Sequence, residues 1–153
     1  MLAPGTAAPE FTLDLLEGGR RSLAEILEAG PVVLVFFKVT CPTCQLALPY
    51  LQRIDGGTLQ IYGVSQDDAE RTREFMRLFG VHLPMLLDPA AQKYPASRAY
   101  GVQYVPSLFL VETGGRISWT AEAFDRRAFE ELARRAGRPM FSPDESVPLY
   151  KPG

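Results

Sequence analysis

Six residues, Val32 to Phe37 (VVLVFF), form an unbroken run of β-branched, aliphatic and aromatic side chains. Cys41 follows after only Lys38-Val39-Thr40. A strand that alternates apolar and polar residues can leave one face to water, whereas a continuous apolar run must be covered on both faces. The uncharged run from Pro31 to Phe37 is far too short to span a bilayer. It therefore belongs at the centre of a sheet, and the rest of the chain has to supply layers on either side of it.

The flanking segments supply those layers. Phe11, Leu13 and Leu15 alternate with polar residues, which predicts a half-buried strand, and Gly18-Gly19 turns the chain so that Arg20-Arg21 returns as a short second one. Ser22 with Glu25 three residues on is a capping-box pattern opening the helix LAEILEA, which Gly30-Pro31 stops. Pro42 suits the first turn of a helix, whose apolar face is Leu46, Leu48, Leu51 and Ile54, with a kink expected at Pro49. TLQIYGVSQ predicts the next strand. Asp67, paired with Glu70, is the expected cap of a helix running to Phe79 and ended by Gly80. MLLD reads as a further strand and AAQKYPASRAYGV as a short helix broken at Pro95. SLFLVE and RISWT flank Thr113-Gly114-Gly115 as a hairpin. Asp125 caps the last helix, RRAFEELARRA, ended by Gly137 and Pro139. Strands alternating with helices, without repeats or low-complexity linkers, predict one α/β domain over residues 1–138. Residues 139–153, RPMFSPDESVPLYKPG with the preceding arginine, are proline-rich and aperiodic and read as an extended tail.

Composition narrows the possible functions. The 153 residues are one domain's worth of chain. A net charge of −2 with scattered, interleaved basic residues gives no general attraction to nucleic acid or anionic membrane. No glycine-rich phosphate loop or paired-carboxylate constellation occurs, so no cofactor is expected. The N-terminal MLAPGTAAPEFTLDL lacks a basic start and an apolar core of the signal-peptide kind. That predicts a cytoplasmic protein, or a periplasmic or exported one if a leader has been removed.

The only two cysteines stand as Cys41-Pro-Thr-Cys44. In a reducing cytoplasm such a pair is catalytic or metal-binding more often than a standing bridge. A zinc site needs about four ligands, and His82 is the single histidine available; no metal is predicted. A permanent disulfide closing so short a loop constrains little of the unfolded chain. The redox alternative follows from helix direction. Cys41 falls where the strand ends and the helix begins, and unpaired N–H groups there stabilise a thiolate. Cys44, one turn inward, is placed to attack a mixed disulfide formed on Cys41.

Strand, then Cys-Pro-Thr-Cys at a helix start, then Pro49 five residues after Cys44, resembles the active-site helix of thioredoxin-fold proteins. YGVQYVPSLFLVETGGRI resembles that fold's Val-Pro segment. GTAAPEFTLDLLEGGRRSLAEI and MLLDPAAQKYPASRAYGV resemble the redoxin branch, which contains the peroxiredoxins and the TlpA/ResA-like thiol-disulfide oxidoreductases. The resemblance runs from about Gly5 to Gly137. It implies a thioredoxin-like fold: a central mixed β-sheet flanked by helices, with an N-terminal β-hairpin and a redoxin-type βα insertion. It also implies that Cys41 and Cys44 are catalytic and that Pro106 is cis beside them. Val105 then offers backbone groups to a substrate strand and Pro106 shapes the groove. Thr40, Pro42 and Thr43 complete the substrate-facing rim. The implied partners are protein or small disulfide and thiol substrates and an upstream thiol reductant.

The sequence departs from this pattern in places. Thr40 replaces the tryptophan usual before the first cysteine of thioredoxins. The two positions at which related proteins carry a proton-transferring acid hold Val35 and Ala47, so Cys44 is expected to resolve slowly. Lys38 is the nearest charge in sequence that can lower the Cys41 pKa; the bland alternative, which weighs more, is an amine that simply extends to solvent. Two other functions compete. One is a peroxidase, but the peroxiredoxin pattern Pro-x-x-x-Thr-x-x-Cys is broken by Leu34 and Lys38 before Cys41, and by Phe37 and Cys41 before Cys44. The other is a redox-sensing or interaction module whose pair switches a surface without turnover. The direction of catalysis is open in all of them.

Overall fold

The computed structural model describes residues 1–153. Its first strands, β1 (Thr12–Leu15) and β2 (Arg20–Ser22), form an antiparallel hairpin. Ser22 then caps α1 (Leu23–Leu27) with the reciprocal bonds of a capping box: its hydroxyl accepts from Glu25 N–H, and the Glu25 carboxylate accepts from Ser22 N–H. β3 (Val32–Phe37) is buried at every residue. α2 (Pro42–Leu51) starts at Cys41 as N-cap, has Pro42 in its first turn and continues through Pro49.

β4 (Gln60–Ser65) leads to α3 (Ala69–Phe79), which ends on Gly80 in the left-handed conformation. β5 (Met85–Leu87) and α4 (Pro95–Ala99) follow. The segment expected as one helix broken at Pro95 is a 3₁₀ turn, Ala90–Gln92, and then α4. Between them Lys93 and Tyr94 have φ of 61° and 50°, so the break precedes the proline. β6 (Ser107–Val111) and β7 (Ile117–Glu122) form the predicted hairpin. Past the short β8 (Phe124–Asp125), Asp125 caps α5 (Arg126–Ala136).

Seven strands form one mixed sheet in the order β2-β1-β5-β4-β3-β6-β7. β3 lies in the middle, parallel to β4 and antiparallel to β6. Its alternate side chains feed two cores. Val33, Val35 and Phe37 pack with Leu48 and Leu51 of α2, Phe75 of α3 and Phe129 and Leu132 of α5. Val32, Leu34 and Phe36 pack on the other face with Ile26 of α1, Ala96 of α4 and Tyr100. The continuous apolar run is thus the strand whose two faces are both interior. Truncating one of these side chains to alanine costs about 2–5 kcal/mol, and the placement of Cys41 depends on that rigidity.

The C-terminal tail does not hang free. Met140 is buried in the core under α5, and Phe141 stacks near Tyr50 and Phe124. Tyr150–Lys151 forms a last strand, β9, antiparallel to β8.

Candidate active site

Cys41 occupies the point where β3 has ended and α2 begins, as the helix-start pattern requires. The loop between them is held from three sides. Asp67 Oδ2 accepts from Val39 N–H at 2.9 Å, Gln45 Nε2 donates to Val39 C=O at 2.9 Å, and Cys41 N–H donates to Lys38 C=O at 3.2 Å. Asp67 was expected to cap α3, but that duty falls one residue later. Asp68 Oδ1 accepts from Arg71 N–H at 2.9 Å. The parallel register Phe37↔Ser65 explains the exchange, because two residues beyond each strand it brings Val39 beside Asp67. Asp67 is therefore a loop-framing residue that sequence reasoning assigned elsewhere. The signal for it was the register of two adjacent parallel strands.

The two cysteines are unlinked, Cys41 partly exposed and Cys44 fully buried. Cys41 Sγ accepts the Cys44 N–H at 3.2 Å and lies 3.6 Å from Val105 C=O, to which its thiol form donates. The Cys41 pKa is lowered to about 6. The leading cause is the Cys44 thiol, which donates to the Cys41 thiolate; backbone N–H groups of Cys44 and Thr43 and the charge of Lys151 add to it, against desolvation. Burial pushes the Cys44 thiol far above its ordinary value, and the neighbouring Cys41 raises it further. One sulfur is a thiolate at neutral pH and the other keeps its proton.

Of the other residues expected at the site, Val105 lies against Cys41, and the Val105–Pro106 bond is cis. Thr40 and Pro42 are exposed on the rim. Thr43 is 2 % exposed, covered by the tail, and its hydroxyl donates to Pro152 C=O. Lys38 points to solvent, and the lysine whose charge reaches Cys41 is Lys151, 110 positions after that cysteine. Val35 and Ala47, the positions without an acid, are buried in the core beside Cys44. His82 is exposed on the far loop, its backbone N–H donating to Gln52. No group of three or more His, Cys, Asp or Glu side chains is arranged to hold a metal, and no helix is long and apolar enough to cross a membrane.

Comparison with known proteins places this geometry. Residues 4–120 match the AhpC/TSA family. The chain is 28% identical over 121 residues to the thiol-disulfide oxidoreductase ResA of Geobacillus thermodenitrificans, covering 76% of this chain and 67% of that protein. It spans about two thirds of the length of the ResA relatives it matches. The thioredoxin domain of a thiol-disulfide oxidoreductase from Bacteroides vulgatus superposes with a TM-score of 0.77 at 22% identity, over 89% of this chain and 99% of that one. Peroxidoxin BcpB from Mycobacterium tuberculosis superposes at 0.73 with 20% identity, over 89% and 96%. The fold is that of thioredoxin.

Proposed function

The chain belongs to the AhpC/TSA family, and on that premise we propose that it is a thiol-disulfide oxidoreductase in which Cys41 attacks and Cys44 resolves. The observation that carries this is the split between two neighbouring sulfurs, a partly exposed one at the helix start that accepts the Cys44 N–H and so favours the thiolate, and a buried one a helical turn behind it whose burial favours the thiol. The Cys41 thiolate attacks one sulfur of a substrate disulfide and expels the other as a thiolate, leaving a mixed disulfide. Once Cys41 is consumed as a charge, the Cys44 thiol loses the partner that held its proton. Its proton passes through water to the expelled substrate thiolate, since Val35 and Ala47 offer no base; Cys44 then attacks Cys41 Sγ and releases the second substrate sulfur. Two electrons pass to the substrate, and the Cys41–Cys44 disulfide that results is reduced back to the two thiols by an upstream thiol reductant, which is oxidised in turn. Val105 offers its backbone beside the reacting sulfur, with Pro106, Thr40, Pro42 and Thr43 around it.

Protein disulfides and small mixed disulfides are both substrates of this chemistry. In a reducing cytoplasm the reduced form is the working one; in an oxidising compartment the same pair runs in reverse, as its potential against the compartment dictates. A peroxidase is the rival within the same family, and the similarity to peroxidoxin BcpB keeps it in view. Against it, the position of the peroxide-orienting threonine is Lys38, whose side chain points to solvent. The test is a Cys44→Ser variant reduced and mixed with a disulfide-bearing peptide. The expected result is a stable adduct on Cys41, with none on a Cys41→Ser variant. Adducts on neither variant would overturn the assignment.

A further inference from the structure

The residues that would meet a substrate are already occupied, and the occupant is the end of the chain itself. Thr43 stands between the two cysteines in the first turn of α2 and is 2 % exposed, while Pro42 beside it is open to solvent. Its hydroxyl donates to Pro152 C=O at 2.5 Å. Gly153 lies so close to the Val105 carbonyl that a side chain at this position would collide with it, with Pro106 beyond. That carbonyl is also the one 3.6 Å from Cys41 Sγ. Residues 152–153 thus reach Thr43 and Val105 together, beside Pro106, through backbone groups and a residue without a side chain.

The segment is strongly held at its base and lightly at its tip. Met140 is buried, and Arg53 binds Glu145 through two bonds of 2.7 and 2.8 Å while also donating to Met140 C=O. Farther on, Arg126 N–H donates to Leu149 C=O, and Tyr150–Lys151 pairs with β8. Beyond β9 one side-chain hydrogen bond holds Pro152 and Gly153, and both residues are exposed. A tip with so few contacts opens at small free-energy cost while its anchor stays shut.

We infer that residues 150–153 are a resting occupant of the substrate groove, a strap that an extended polypeptide must displace to reach Cys41. The inference rests on the oxidoreductase reading for what enters the groove, but not for whether the strap is there. A substrate strand takes over the backbone contacts of Pro152 and Gly153, which favours unfolded protein segments over compact disulfides as substrates. Leaving also removes Lys151 from the neighbourhood of Cys41, so access and thiolate stabilisation trade against each other.

The experiment compares three reduced proteins: the full chain, Gly153→Ala and a truncation ending at Leu149. The truncation keeps Met140, Phe141 and Glu145 and therefore the anchor, and the alanine variant adds only a methyl group if the truncation fails to fold. Each rate is divided by the rate of a small maleimide on the same protein at pH 7, so the ratio reports access and not charge. Two probes are used: a maleimide carried on polyethylene glycol, and an unstructured peptide bearing a glutathione mixed disulfide. Losing one net hydrogen bond and a short strand pair raises the open fraction, and hence modification of Cys41 by the bulky maleimide, by roughly tenfold. Equal maleimide rates in the three proteins overturn the strap. Faster maleimide reaction in the variants, with no peptide exchange in any protein, keeps the strap and overturns the oxidoreductase reading instead.

Discussion

Two sulfurs one helical turn apart are pushed in opposite directions, Cys41 toward the thiolate and Cys44 toward the thiol. Cys41 gains a hydrogen bond from the Cys44 thiol, N–H groups from the first turn of α2 and the distant charge of Lys151, and these outweigh its partial burial. Because a thiolate is the attacking species, the rate of Cys41 alkylation by iodoacetamide should rise with pH through a midpoint near 6. Below the midpoint Cys41 is protonated and donates to Val105 C=O, which leaves it unreactive. Lys151→Gln removes a positive charge that favours the thiolate, so its midpoint should move to higher pH. A midpoint unchanged in that variant would mean that the Cys44 thiol and the N–H groups of the helix start set the pKa without Lys151. The residues 41 and 44 were readable from spacing, since helix direction distinguishes the first cysteine from the second. Lys151 was not, because no local pattern links a lysine near the end of the chain to a helix start more than a hundred residues earlier.

Elements, more than individual contacts, fix where Cys41 stands. The parallel pair β3 and β4 ends with Val39 and Asp67 side by side, and the buried Ser65 and Thr72 hydroxyls, 2.7 Å apart, brace the turn into α3. Asp67 and Asp68 are adjacent in sequence but serve different elements, the loop before Cys41 and the helix start. Asp68→Ala should lower stability by about 1 kcal/mol, as loss of an N-cap does, with disulfide exchange unchanged. Asp67→Ala frees the Val39 N–H and should slow exchange by roughly tenfold, the worth of one hydrogen bond. Denaturation midpoints and peptide-exchange rates measured on both variants decide the matter, and identical effects would contradict the division of labour. Sequence pattern located the start of α3 to within a residue. It could not choose between two neighbouring aspartates, because either can accept from a helical N–H and only the strand register commits one of them elsewhere.

At the scale of the whole molecule, a sheet buried on both faces carries a reactive sulfur at the C-terminal end of its central strand, and the tail wraps back to cover it. The succession of strands and helices, the hairpins and the caps at Ser22 and Asp125 followed from apolar periodicity and turn residues, which act locally. The tail was legible only as an aperiodic, proline-rich stretch. Its docking uses backbone carbonyls, a glycine and one arginine–glutamate pair, none of which imposes a repeat on the sequence. The measurement that tests the central claim most directly is a competition. Fully reduced protein is mixed with limiting hydrogen peroxide and a mixed-disulfide peptide together, and the oxidation of Cys41 by each is followed by thiol trapping and mass spectrometry. Disulfide exchange far outrunning peroxide is the expected result, with the Cys41–Cys44 disulfide as product. Peroxide reacting first would contradict it, making Cys41 a peroxidatic cysteine and Cys44 its resolver.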